Sequence, residues 1–274
     1  MRFANVTAAE SLKLTSTRLW WILLLVLFGY VAFIAALLAG LFGAMGEQLS
    51  VTPGSPQLPD ATLPPVVYST ASAVGYVFPV LLGALVTTSE FRHQTLTPTF
   101  LATPRRGVVL LAKIVVLAVA GAVYGVVALI ASIGLGAPIL AATGVPTALG
   151  DSETWMLAAR VVLAMSLWAV VGVGLGVLVP NQVAAIVIVL AFTQFVEPIL
   201  RFGATIWEWT AQIGQFLPGA ASDALVGASI FASLGPGQVE TVSLEWWQGG
   251  LVLFAIAAVA ALAGYFGAWK RDVT

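Results

Sequence analysis

The 274-residue chain contains no cysteine and a single histidine, and only 8% of its residues are charged. Without cysteine there is no disulfide framework, no thiolate nucleophile and no thiolate metal site. His93 alone excludes multi-histidine metal sites, and a Ser-His-Asp arrangement could run only through it. It stands among Glu90, Arg92 and Gln94 with no paired-carboxylate motif, and reads as a solvated loop residue. No Gly-Lys pair occurs, so the chain has no phosphate-cradling P-loop. Gly172-Val173-Gly174-Leu175-Gly176 has the wrong spacing for a dinucleotide loop, and no strand precedes it. No catalytic, cofactor-binding or metal site is therefore expected on this chain. With 11 basic and 12 acidic side chains, a soluble protein of this length could not cover its surface, because ordinary globular chains are about 25% charged.

What fills the composition instead is apolar: 60% of residues, at a mean hydropathy of +1.02. A hydrocarbon layer of about 30 Å needs roughly 20 helical residues to cross. Six runs meet or approach that length: 19–42, 66–88, 108–130, 156–179, 182–200 and 247–269. Backbone polar groups in lipid must pair within their own segment, so these runs are helices; barrel strands would alternate and be about half as long. The first run exceeds the roughly 7–15-residue core of a cleaved signal peptide and is read as a span. The expected fold is an all-α polytopic membrane protein, a single transmembrane domain over residues 1–274.

Orientation follows from lysine and arginine. With the N-terminus inside, the cytoplasmic segments hold Arg2, Lys13, Arg18, Arg92, Arg105, Arg106, Lys113, Lys270 and Arg271, and the outer side only Arg160 and Arg201. Both termini are thus expected in the cytoplasm, which makes the sequon-like Asn5-Val6-Thr7 a chance match. Trp20, Trp21 and Trp269 mark the inner interface, and Trp155, Trp246 and Trp247 the outer one. Lys113, inside the pattern of span three, is expected to snorkel to the inner headgroups.

The connecting segments differ. Residues 1–18 carry a ragged apolar stripe (Phe3, Val6, Ala9, Leu12, Leu14) and read as a cytoplasmic interfacial helix. The outer connector 43–65 holds Pro53, Pro56, Pro59, Pro64 and Pro65 and should be extended. Val179-Pro180-Asn181-Gln182 turns the chain tightly, making spans four and five antiparallel neighbours. In 201–246, Ile206, Trp209, Ile213, Phe216 and Leu217 follow helical spacing until Pro218-Gly219 breaks it; a second short helix is expected from Ala220 to Phe231. This is an amphipathic hairpin on, or dipping into, the outer face. Gly121 with Gly125, and Gly172 with Gly176, form small-x-x-x-small pairs that allow close helix approach.

Charged residues inside spans are few. Glu197 and Arg201, four apart with the acid first, are expected to pair at the outer end of span five. Arg160 could pair with Asp151 or Glu153. No ionisable group lies convincingly near the midplane, which counts against a self-contained secondary transporter or channel; that class stays as the alternative.

The segment 89–107 carries the most information. Thr97 is a suitable N-cap, Pro98 suits a first helical position, and Pro104 ends the helix, giving about one and a half turns bracketed by prolines. Phe100 and Leu101 should project from it as a docking knob, with Glu90 paired to Arg105 or Arg106. Here the sequence resembles the permease subunits of ABC-2 type transporters. The similarity lies in Glu90 at the end of span two, Thr95 five residues on, Pro104-Arg105-Arg106, and Lys113 early in span three. Glu10, Lys13 and Arg18 before span one, Leu217-Pro218-Gly219 in the outer hairpin and the Lys270-Arg271-Asp272 tail add to it. The resemblance implies a permease that dimerises with a second copy or a homologue and binds two separate ATPase subunits, which hold ATP and Mg. It implies an exporter, and the simple six-span form is closest to those moving drugs, antimicrobial peptides or lipids. In that setting Glu90, Arg92, Thr95, Phe100, Leu101, Pro104, Arg105 and Arg106 form the ATPase-coupling segment. The expected location is a bacterial cytoplasmic membrane, in contact with lipid and with no nucleic-acid partner.

Overall fold

A computed structural model describes residues 3–50, 60–204, 208–230, 233 and 244–269. Arg2, Pro53, Pro56, Pro59, Phe231 and the Lys270-Arg271-Asp272 tail lie outside them. The described residues form helices joined by turns, with no strand among them. Among the described residues, six helical stretches are long and apolar enough to cross a membrane: Leu19–Gly43, Asp60–Arg92, Arg106–Ala142, Ser152–Leu178, Gln182–Ala204 and Trp246–Gly267.

The short helix α1 (Phe3–Thr15) precedes span one, α2 (Leu19–Ser50). Span two comprises α3 (Leu63–Ala73) and α4 (Val77–Arg92). The break between them has a local cause. Pro79 has no N–H to offer the Gly75 carbonyl four residues back, and its ring would collide with that carbonyl. At Gly75 itself a Cβ would run into the Ala71 carbonyl oxygen. After α5 (Leu96–Ala102) comes span three, α6 (Arg106–Ala142). It runs well past the expected end at 130, because 131–142 is also apolar and Pro138 is accommodated within the helix.

Span four is α7 (Ser152–Leu178). Asn181 then caps span five, its side chain accepting from the Val183 and Ala184 N–H groups. That span is α8 (Gln182–Ala191), a π-helical turn (Phe192–Val196) and α9 (Glu197–Ala204). The outer hairpin contains α10 (Glu208–Gly214) and α11 (Pro218–Val226). The second helix thus starts at Pro218 rather than Ala220, since Pro at the first position sacrifices no helical bond. It ends where Gly227 adopts a positive φ of 85°. Span six is α12 (Trp246–Gly264), opened by a capping box between Glu245 and Gln248.

The long helix α7 is the axis of the bundle, packed against α4, α6 and α12. Glycine makes this possible. A Cβ on Gly172 would collide with the Val80 carbonyl oxygen, and one on Gly176 would lie 2.7 Å from the Ala84 oxygen. Gly121 and Gly125 likewise bring α6 against Met165 and Val162, and Gly174 admits Ala260 of α12. Both small-x-x-x-small pairs thus act as helix contacts. In contrast, α2 and α8–α9 keep broad apolar faces outside the bundle, including Leu25, Phe33, Val183, Val187, Phe195 and Ile199. The hairpin helix α11 lies in contact with α3, α7 and α12, with Ala221, Ser222, Asp223, Leu225 and Val226 buried.

Candidate functional site

Two buried polar clusters stand apart in the bundle, one at the end of span two where α4 leads into α5 and the other within spans two and five. The first joins α1, α4, α5 and α6. Glu10 of α1 and Glu90 at the end of α4 are bridged by two lysines. The Lys113 Nζ lies 2.5 Å from Glu10 Oε2 and 3.2 Å from Glu90 Oε1. The Lys13 Nζ lies 2.6 Å from Glu10 Oε1 and 2.8 Å from Glu90 Oε1, and donates at 3.3 Å to the Thr99 hydroxyl of α5. Signs alternate and the charges cancel, so the ring can be buried; Lys113 is only 1% exposed. Lys113 therefore does not snorkel, and Glu90 finds the two lysines instead of Arg105 or Arg106. Burial opposes ionisation of Glu10, yet the Lys113 ammonium and the bonds from both lysines hold its carboxyl below the usual value. Burial likewise opposes the charge on Lys13, and Glu90 and Glu10 more than offset it, raising Lys13 above its usual value.

The α5 helix is fixed to this ring. It starts at Leu96, with Thr95 rather than Thr97 as its N-cap, and Pro98 falls in the first turn where free N–H groups make it harmless. Thr95 offers its backbone oxygen to the Thr99 hydroxyl at 2.8 Å. Leu96 is buried. Phe100 does not project as expected: its ring packs edge-on to Trp269, centroids 5.6 Å apart, with the Arg106 guanidinium 5.0 Å above it. Trp269 is no headgroup anchor either; it is buried, meets Phe91 edge-on and donates from Nε1 to the Arg106 carbonyl at 3.0 Å. Leu101, by contrast, is 80% exposed at the tip. Pro104 and Arg105 are exposed beside it, Arg92 bonds Gln182 at 2.9 Å across to span five, and His93 is exposed as expected.

The second cluster gathers where spans two and five are both broken. Glu197, buried at the start of α9, accepts from the Gly219 N–H through Oε1. Its Oε2 lies 3.3 Å from the Tyr76 hydroxyl, which lies 3.3 Å from the Thr193 carbonyl oxygen as well. Arg201 reaches past its own helix to α11, 2.5 Å from Asp223 Oδ2, and Ser229 donates to the same oxygen at 2.7 Å. The salt bridge of Arg201 therefore runs across the hairpin to Asp223, in place of the partnership with Glu197 four residues back that the sequence suggested, while Glu197 meets Gly219 and Tyr76. Glycine is needed at 219 because a Cβ there would meet the Glu197 carboxylate. The Tyr76 ring packs on Trp168, centroids 4.5 Å apart, and Trp168 Nε1 donates to Ser222 of α11 at 3.1 Å. A cleft of about 110 Å³ opens beside the cluster, lined by Tyr30, Tyr76, Thr193, Gln194, Glu197 and Arg201 among others. Arg160 stacks over Trp246 at 4.7 Å; neither Asp151 nor Glu153 is its salt-bridge partner.

The sequence did not mark Glu10, Lys13 and Lys113 as members of the first cluster, or Tyr76 and Asp223 as members of the second. Two signals were present. Asp223 is an acid inside the Ala-rich segment 220–228, and Pro79 and Pro198 mark where spans lose a donor. No protein-family model matches the chain, and no curated protein matches it.

Proposed function

We propose that the chain is the membrane-spanning permease subunit of an ATP-driven exporter. It pairs with a second permease and works through separate ATPase subunits that hold ATP and Mg. The cargo is an amphipathic drug, antimicrobial peptide or lipid, moved outward across a bacterial cytoplasmic membrane, with both termini and α5 in the cytoplasm. The observation that carries this reading is the anchoring of α5. A helix that must transmit force from a partner needs a rigid seat, and the Glu10–Lys13–Glu90–Lys113 ring together with the Phe100–Trp269 contact supplies one. The resemblance at Glu90, Thr95, Pro104-Arg105-Arg106 and Lys113 points the same way. The exposed faces of α2 and α8–α9 fit a second permease or lipid.

Leu101 is the tip residue the ATPase would bury. Burying a leucine contributes about 1.5–3 kcal/mol, so Leu101→Asp should weaken ATPase binding by about one to two orders of magnitude. Phe100→Ala should instead loosen α5 within the chain. Copurification in mild detergent and substrate-stimulated ATPase activity in liposomes read both; wild-type binding and transport by Leu101→Asp sinks the proposal. The chain purified alone should turn over no ATP. One observation favours the alternative, a self-contained secondary transporter: Glu197, Arg201 and Asp223 form an ionisable cluster around a span. Transport by the single chain in liposomes under an ion gradient without nucleotide would establish it.

A further inference from the structure

The Tyr76 hydroxyl has one hydrogen and two oxygens at 3.3 Å that could receive it, the Thr193 carbonyl and Glu197 Oε2. The backbone decides between them. In an α-helix the Thr193 carbonyl would accept from the N–H of residue 197, but in the π-helical turn the Glu197 N–H bonds the Phe192 carbonyl instead. In a π-helix it would accept from residue 198, and Pro198 has no N–H. Neither helical donor serves this buried carbonyl, and an unsatisfied buried carbonyl is costly. Tyr76 supplies the missing hydrogen. The contact between Tyr76 oxygen and Glu197 Oε2 then needs a hydrogen of its own, and only the carboxyl can provide it.

We infer that Glu197 binds an exchangeable proton inside the membrane domain, donating it to the Tyr76 oxygen while Tyr76 donates to Thr193. Charge balance supports this state. The groups facing Glu197 are Tyr76 at the break between α3 and α4, Arg201 of its own helix, and Gly219 and Asp223 of α11, with Tyr30 of α2 across the cleft. With Asp223 and Arg201 paired, a protonated Glu197 leaves the cluster neutral; an ionised one leaves a net negative charge among apolar helices. Release passes the proton to water in the cleft, which has room for a few water molecules. The Tyr76 hydrogen then swings to Glu197 Oε2, and the Thr193 carbonyl loses its donor. Proton binding is thereby tied to the packing of spans two and five against each other. This site goes beyond the proposed export activity and does not depend on an ATPase partner.

Infrared difference spectroscopy of the full chain in lipid vesicles tests it, stepping pH and exchanging into heavy water. The wild type should show a protonated-carboxyl band that titrates and shifts on deuteration. Glu197→Gln should lose the band while keeping the fold, because its amide can accept from Gly219 and donate to Tyr76 as the acid does. Tyr76→Phe should keep the band but shift its frequency, since the proton loses its acceptor; this ties the band to Glu197 rather than to Asp223. Absence of a titrating band, its persistence in Glu197→Gln, or a band unmoved in Tyr76→Phe would each overturn the inference.

Discussion

A lysine seven residues into a helix that starts at Arg106 can keep its charge by reaching back to water or by finding carboxylates inside the protein. Lys113 does the second, and its loss is correspondingly expensive. Lys113→Met leaves Glu10 and Glu90 buried with half their counter-charge, and should cost about 3–5 kcal/mol, read as a lowered melting temperature in detergent. The reversed pair Glu10→Lys with Lys113→Glu should not recover the loss, because it sets like charges against Lys13 and against Glu90. The ring also sets a pH window. Glu10 is lowered below its ordinary 4.5, so its contribution is present above that value and disappears as pH falls through the lower, folded value. Lys13 is raised above its ordinary 10.5, so its contribution is present below that value and disappears as pH rises through the higher, folded one. Docking of α1 should therefore hold between these limits and fail beyond them. Hydrogen exchange of the α1 amides checks this, and protection unchanged in strong acid would show that the ring does not hold α1.

At the scale of elements, the helix contacts rest on missing side chains. A Cβ on Gly83 would collide with the Ala169 carbonyl oxygen and one on Gly172 with that of Val80, whereas Gly29 has nothing within 4 Å of a Cβ. Gly83→Ala and Gly172→Ala should each destabilise by about 1–3 kcal/mol through overpacking, and Gly29→Ala should be neutral; thermal unfolding in detergent separates them. The pairs Gly121/Gly125 and Gly172/Gly176 were legible in the sequence because a spacing of four already places both on one helix face. Their partners were not, since spacing does not say which helix lies opposite. Prolines divide the same way. Pro98 and Pro104 announced a short helix between spans two and three. That Phe100 would turn inward depended on Trp269, 169 positions along, which had no visible reason to be near.

For the whole molecule, the basic side chains predict which end faces the cytoplasm, and the missing cysteines make the test simple. Thr97 in the first turn of α5 and Ser152 at the start of α7 are both exposed, at opposite ends of the bundle. Single cysteines there, in an otherwise cysteine-free chain, should differ: position 152 should react with an impermeant thiol reagent outside sealed cells and position 97 should not. Labelling of position 97 would reverse the proposed orientation.

Composition and periodicity by themselves determined the six helices, among the described residues, that are long and apolar enough to cross a membrane, because the lengths of apolar runs and the need to satisfy backbone groups in lipid are local requirements. They determined as well where chain direction reverses and which helix faces are small enough to touch. Only the tertiary structure decided the pairing of charges. Glu10, Lys13, Glu90 and Lys113 span 103 positions, and Tyr76, Glu197 and Asp223 come from three separate segments. A charge in low dielectric takes whichever partner the packing brings to hydrogen-bond distance, and sequence neighbours such as Arg105, Arg106 or Glu153 have no priority over a helix that folds in from far away.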